Sequence, residues 1–489
     1  MNYRRHINSV VLVGIANIFV YARNIFLLPI LTRSLGVNVY GLWSQLYALI
    51  ELLTPLFLLR LPSAFTRFLA AEQDVEAIRS GFWTSFLGAF CASILLSLGL
   101  FLMFMPLRDS FGVELLQIAD MLWVVLLLIV LSSASNSCIN YFRTFEKSAL
   151  FSGMILLESV GFLLVTSVVS MMGGNIMSPI IGLVSIKILI CLLGLPKIFQ
   201  EIGFSKIDWR TLKIYLSYSL PLVPMGILYW TIQMSDRYLI DLFLSKKEVG
   251  RYAATYTLGG LISFVYAPIF AFLMPAATKL WEANQQDELR RFFLRSLKYP
   301  TLIAIPIAFT SPVWGLTTIK LVAGIDYVTT GNLIFVVLIG YLALMIGTFF
   351  ATILHLKKKN TTLLFINILT ASTNIGLNLL FIPKYGIEGA GISTAITFII
   401  QTIVFYFFAK CYFSFDLGVK DLGKIIIASL LSAFFMSFWG IHNLESLVFG
   451  TILVVSLYTA LLWISQAITR DEITFAWQFF KERLVILLK

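Results

Sequence analysis

Seven charged side chains stand inside long apolar runs: Arg23, Arg60, Lys187 and Arg237, with Glu51, Glu158 and Asp236. A charge at bilayer depth costs about 2.5–3.5 kcal/mol on an insertion scale, so such residues turn toward a bundle interior, a wet cavity or one another. Guanidinium grips phosphate bidentately and ammonium meets it as a point charge. Arg23, Arg60, Lys187 and Arg237 are therefore expected to form a cationic cavity for an anionic, phosphate-bearing substrate. Glu51, Glu158 and Asp236 are candidates for coupling to a proton or cation, or for neutralising a neighbouring cation. Asn24, Gln45 and Gln233 lie near these charges and are candidates for contacts with sugar hydroxyls. Each has a plainer alternative: an ion pair, a stem snorkelling to the interface, or an amide bonded to the next helix. The plainer alternative is the one expected for Asn17, Asn136, Asn140, Asn367, Asn374 and Asn378.

The elements that carry these charges are membrane spans. Of the 489 residues, 59% are hydrophobic and 12% charged, and the mean hydropathy is +0.90. Soluble domains run at about 45–50% apolar and about 25% charged, so a soluble globular protein is excluded. A disordered chain is excluded by the 42 Phe and 10 Trp. Apolar runs bounded by charge, Gly or Pro predict about fourteen helices: 7–32, 39–66, 80–105, 117–140, 149–172, 178–199, 214–241, 248–277, 299–320, 331–356, 361–382, 388–410, 422–441 and 446–466. The first run is too long for a signal h-region and lacks a small-residue cleavage site, so it is expected to stay as the first span.

Placing both termini in the cytoplasm puts 25 of the 36 Lys and Arg on inner segments and 7 on outer ones, with the remaining 4 inside spans. That is the asymmetry of a cell-membrane protein with positive inner loops. The net charge of +11 is thus assigned to the inner lipid face rather than to nucleic acid. Segments 279–299 and 473–489 read as amphipathic helices in the inner headgroup layer.

The two halves repeat. With an offset of 209, Gly41 meets Gly250, Trp43 meets Tyr252, Tyr47 meets Tyr256 and Leu49 meets Leu258. Residues 142–174 parallel 354–386 in the same way. Six helices per copy give parallel topology, an architecture of transporters. The expected division is an N-terminal lobe (1–200), a C-terminal lobe (201–411), and two further spans with the tail (412–489). Prolines 29, 55, 62, 221, 224, 268, 275 and 306 interrupt spans that must bend.

No catalytic signature stands out. There is no DxD-type cluster, GxSxG, Walker loop or HExxH, and the expected loops are too short to house an enzyme domain. Cys91, Cys138, Cys191 and Cys411 lie in or beside apolar stretches without a CxxC, and His6, His355 and His442 lack metal spacing. Neither a disulfide, a metal nor a cofactor is expected. A small-molecule extruder for organic cations would call for an acidic cavity, and the buried charges here lean basic.

The run LLPILTRSLGVNVYGLWSQLYALIELLTPLFLLRLPSAFTRFLAAE (27–72) resembles the opening of polysaccharide flippases. SDRYLIDLFLSKKEVGRYAATYTLGGLISFVYAPIFAFLMPAATKLWEAN (235–284), LNLLFIPKYGIEGAGISTAI (377–396) and the preceding ILHLKKKNTTLLFINIL run resemble the same family. That family shares a superfamily with multidrug-and-toxin extruders and lipid II flippases. The resemblance spans about residues 7–411 and implies twelve to fourteen helices in two pseudo-symmetric lobes. It also implies alternating access for a polyprenyl-(pyro)phosphate-linked oligosaccharide moving from the inner to the outer leaflet, with proton or sodium antiport. Membrane lipids and other polysaccharide assembly proteins are the partners it implies. Among the charged residues, Asp236–Arg237 match the family pattern.

Overall fold

In hydrocarbon every backbone N–H and C=O must be satisfied inside the chain, so apolar runs of this length fold as helices. A computed structural model describes residues 3–106, 121–329, 331–415, 417–439, 441 and 443–468. The start of the 117–140 span, the 473–489 stretch and His442 lie outside the described residues. All regular structure among the described residues is helical. The helices are α1 (Tyr3–Phe57), α2 (Leu61–Leu69), α3 (Val75–Phe104), α4 (Leu122–Thr144), α5 (Ser148–Leu156), α6 (Phe162–Met171), α7 (Met177–Ile202), α8 (Trp209–Ser219) and α9 (Val223–Met234). They continue as α10 (Asp236–Phe243), α11 (Lys246–Gly259), α12 (Leu261–Glu282), α13 (Gln286–Val322), α14 (Gly331–Leu356), α15 (Asn360–Tyr412), α16 (Val419–Ser437) and α17 (Leu444–Ile464). Among the described residues, ten helical stretches are long and apolar enough to cross a membrane.

Two expected breaks fall where the apolar runs place them and others do not. Within α1, the non-helical Gly36 (φ 72) separates the first two expected spans. Within α15, the non-helical Gly386 (φ 62) separates the expected 361–382 and 388–410 spans. Both glycines adopt a left-handed conformation that a Cβ would disfavour. The 39–66 span is cut instead at Leu59 and Arg60, which take positive φ (50° and 53°) without being glycine. The 279–299 segment is not one amphipathic helix. A left-handed Asn284 (φ 56) separates α12 from α13, and α13 then carries straight on into the 299–320 span.

Caps and back-bonds hold the elements. Asp74 accepts from the amides of Glu76 and Ala77 at the start of α3. Asp208 does the same for Arg210 and Thr211 at α8, and the Thr211 hydroxyl with the Arg210 amide holds this exposed carboxyl below its usual range. Inside spans, hydroxyls return to the carbonyl one turn back: Thr32 to Leu28 (2.8 Å), Ser393 to Gly389 (2.8 Å) and Thr397 to Ser393 (2.7 Å). Such bonds let polar side chains sit at membrane depth.

The chain divides into two compact units. The first comprises Met1–Leu258, Val322–Tyr327 and Thr361–Thr397. Its core includes an aromatic cluster in which Phe65 meets Phe82 (5.8 Å between ring centres) and Phe82 meets Tyr141 (5.2 Å). The end of α7 is clamped by Trp83, which donates to the Gly203 carbonyl (2.7 Å), and by Arg79, which donates to Ile202. Gly41 and Gly250, the pair matched by the repeat, meet backbone to backbone. The Lys246 carbonyl occupies the place of a Cβ at Gly41, and the Val37 carbonyl that of a Cβ at Gly250.

The second unit comprises Gly259–Leu321, Val328–Asn360 and Phe398–Lys489. There Tyr458 donates to the Leu302 carbonyl (2.8 Å) and Thr317 to that of Ile441 (2.9 Å). Its cations rest on rings: Lys357 on Trp281 (4.5 Å) and Arg290 on Phe413 (5.9 Å).

Candidate functional site

All ten candidate side chains fall in the first unit, on four stretches: α1 to Arg60, the π-helical turn Leu157–Gly161, α7, and α9–α10. They gather into two charged groups, with Arg60 placed separately against α9.

The first group surrounds Glu158. A π-type turn (Leu157–Gly161) interrupts what would otherwise be one helix from α5 to α6, and it holds Glu158. Such turns insert a residue and rotate the side chains that follow. Lys187 of α7 reaches Glu158 Oε1 at 2.7 Å and Asn136 Oδ1 at 3.5 Å. Lys187 is 8% exposed, so this is a nearly dry ion pair. Arg23 lies over the Phe162 ring (5.2 Å), contacts Asn24 Oδ1 (3.4 Å) and is within electrostatic reach of Glu158. Tyr47 lies within electrostatic reach of Glu51, Arg23 and Glu158. Arg23, Glu51, Glu158 and Lys187 are thus neighbours.

The second group centres on α10. Asp236 is 2% and Arg237 7% exposed. Arg237 donates to Asp236 Oδ1 (3.1 Å), the Gln233 carbonyl (3.1 Å) and Ser44 Oγ (2.9 Å), and stands 5.4 Å from the Tyr256 ring. The other Asp236 oxygen accepts from Tyr252 (2.5 Å). Gln45 donates from its side chain to Asp241 Oδ2 (2.9 Å), and its backbone carbonyl accepts from Tyr238 (2.8 Å). This network ties the second half of α1 to α10 and α11. Arg237 and Gln45 are held by the protein, and Gln233 contributes its backbone carbonyl.

Arg60 differs from the other three cations. It begins α2 with left-handed backbone (φ 53, ψ 19) and no side-chain cap. Its Nε is buried without a hydrogen-bond partner among the described residues, and its guanidinium lies against Gly226 of α9. A buried donor left unmade costs about 1–3 kcal/mol, so this donor is poised for an acceptor.

Several participants were not among the residues singled out from sequence. Ser44, Tyr47 and Tyr252 have ordinary hydroxyls whose role depends on which helix they face. Tyr47 and Tyr252 do occupy positions in the internal repeat. Asp241 is the acidic residue at the end of the expected 214–241 span, a charge readily assigned to the interface. Gly226 follows Pro224 in a Pro-interrupted span.

A family model described as polysaccharide biosynthesis protein matches residues 7–281, more than half of the chain. The chain belongs to the polysaccharide biosynthesis protein family. Within this family assignment, the chain is 21% identical over 313 residues to the probable low-salt glycan biosynthesis flippase Agl15 of Haloferax volcanii, covering 63% of this chain and 65% of that protein. The chain therefore spans just under two thirds of the length of that curated relative. Among solved structures, the lipid II flippase MurJ in an inward closed conformation superposes with a TM-score of 0.72 at 19% identity, covering 93% of this chain and 98% of that one. An inward-facing multidrug resistance MATE transporter of the MOP superfamily gives 0.62 at 13% identity, covering 84% and 99%. These likenesses establish the fold: the family member described here is a polytopic, all-helical, multi-pass membrane protein.

Proposed function

We propose that this protein is a flippase that moves a polyprenyl-(pyro)phosphate-linked oligosaccharide from the inner to the outer leaflet, for surface polysaccharide or glycan biosynthesis. The family membership and the likeness to a glycan biosynthesis flippase support the substrate class. One observation carries the residue assignment: the Arg60 Nε, buried without a hydrogen-bond partner among the described residues.

In this reading Arg60 is the open cation for the (pyro)phosphate. Arg23 and Lys187 supply charge from the Glu158 group, and Arg237 supplies it from the α10 group. Lys187 and Arg237 are paired at rest, so they act through the field of their clusters or by exchanging partners when phosphate arrives. Glu158 and Asp236, paired with those cations, and Glu51 beside Tyr47 are the coupling candidates for a proton or cation. Asn24, Gln45 and Gln233 are the candidates for contacts with sugar hydroxyls, Asn24 being exposed and the other two buried. The sugar crosses in a hydrated cleft between the repeat-related lobes (1–200 and 201–411) while the polyprenyl chain stays in lipid. Each hydroxyl left unpaired in hydrocarbon would cost several kcal/mol. Alternating access follows from two lobes rocking about a shared site. The protein lies in the cell membrane with both termini in the cytoplasm, among anionic lipids and other polysaccharide assembly proteins.

A cation-coupled, multidrug-type exporter is the second reading, favoured by the shared fold. It needs a net acidic site. Here Glu158 and Asp236 are each neutralised by a bonded cation, and Arg60 adds positive charge. The test is genetic. Arg23→Ala and Arg60→Ala are expected to abolish the surface glycan at unchanged protein level, and normal export in both would reject the assignment.

A further inference from the structure

Arg60 and Gly226 meet in a way that neither residue explains alone. A Cβ built on Gly226 would stand 2.6 Å from Arg60 Nη2 and 3.4 Å from Cζ and Nε. The guanidinium therefore occupies the place of the missing side chain. Its own backbone is in the left-handed region that residues with a Cβ rarely adopt, and this directs the side chain across to α9. Gly226 lies in a helix that needs no glycine for flexibility: Pro221 and Pro224 already bend this stretch, and α9 runs regularly from Val223 to Met234. An alanine would suit a helix interior better by intrinsic preference. The glycine is explained by what lies over it.

We propose that Gly226 is a positioning residue for Arg60. Its bare backbone makes room for the guanidinium against α9, which fixes where the cation sits and hence where a phosphate group docks. The inference rests on the reading that Arg60 binds the (pyro)phosphate end of the substrate. A methyl at Gly226 meets the far end of a flexible side chain rather than backbone, so it displaces the cation and leaves the fold intact.

The full-length protein, purified in detergent, is titrated with geranylgeranyl pyrophosphate as the probe. Arg60→Ala is expected to weaken binding by roughly 10–100-fold, the worth of a charge-assisted hydrogen bond. Gly226→Ala is expected to weaken it by a comparable factor with an unchanged Tm. The double variant is expected to bind no more weakly than Arg60→Ala alone, because both changes remove the same contact. Arg60→Lys placed in the Gly226→Ala background is expected to recover binding at least roughly threefold, since a single ammonium head clears the methyl. Wild-type affinity in Gly226→Ala alongside a weakened Arg60→Ala would overturn the positioning role. Losses that multiply in the double variant would do the same. Wild-type affinity in Arg60→Ala would instead overturn the reading of Arg60 as the anion site, whatever Gly226 does.

Discussion

Arg237 and Arg60 carry the same side chain and meet opposite surroundings. Arg237 is enclosed by Asp236, Ser44 and the Gln233 carbonyl. Removing one partner of a buried pair leaves the other charge uncompensated, which costs about 3–5 kcal/mol. Arg237→Ala is therefore expected to destabilise the protein by about that much in a detergent unfolding titration. Arg60→Ala, which strands no carboxylate, is expected to change stability by less than about 1 kcal/mol while still removing activity. Equal stability losses in the two variants would contradict this division. The presence of misplaced charges was legible in the sequence, because an arginine among leucines is conspicuous at any window length. Their pairing was only half legible. Asp236 is adjacent to Arg237 in the chain, whereas Ser44 and Tyr252 reach the pair only through helix packing. Lys187 and Glu158 likewise lie on separate helices and meet across the π-type turn.

At the scale of elements, hydropathy locates helices well and their interruptions only in part. Apolar runs predicted α3, α4, α7 and α14 to within a few residues at each described end, because burial of a long apolar surface has a strong signal in composition. The breaks at Gly36 and Gly386 fall in the gaps between expected spans (33–38 and 383–387), whereas the left-handed turns at Arg60 and Asn284 carry ordinary residues and were not assigned from the runs. Those two turns come from tertiary packing, which outweighs local preference. The repeat was more informative. It paired Gly41 with Gly250, and these two positions meet with backbone carbonyls where side chains would go. Overpacking such a contact costs about 1–3 kcal/mol, and here the obstacle is backbone rather than a movable side chain. Gly41→Ala and Gly250→Ala are each expected to lower stability by about that amount. Since both changes act on one contact, the double variant is expected to fall short of the sum. Wild-type thermal stability in both single variants would show that the helices can separate freely there.

The whole molecule is a multi-pass helical membrane protein of a polysaccharide biosynthesis family, with its candidate charges gathered in one of two compact units. A cationic site lowers the cost of bringing a phosphate out of water, and under the proposed function that phosphate belongs to a lipid-linked glycan. The direct measurement is leaflet exchange in proteoliposomes containing the purified full-length protein and a fluorescent polyprenyl-pyrophosphate oligosaccharide. Accessibility of the fluorophore to an external quencher reports which leaflet holds the probe. Wild-type protein is expected to carry the probe across faster than protein-free vesicles do, and Arg60→Ala to fall to the protein-free rate. Exchange no faster than in protein-free vesicles, or undiminished exchange by Arg60→Ala, would contradict it.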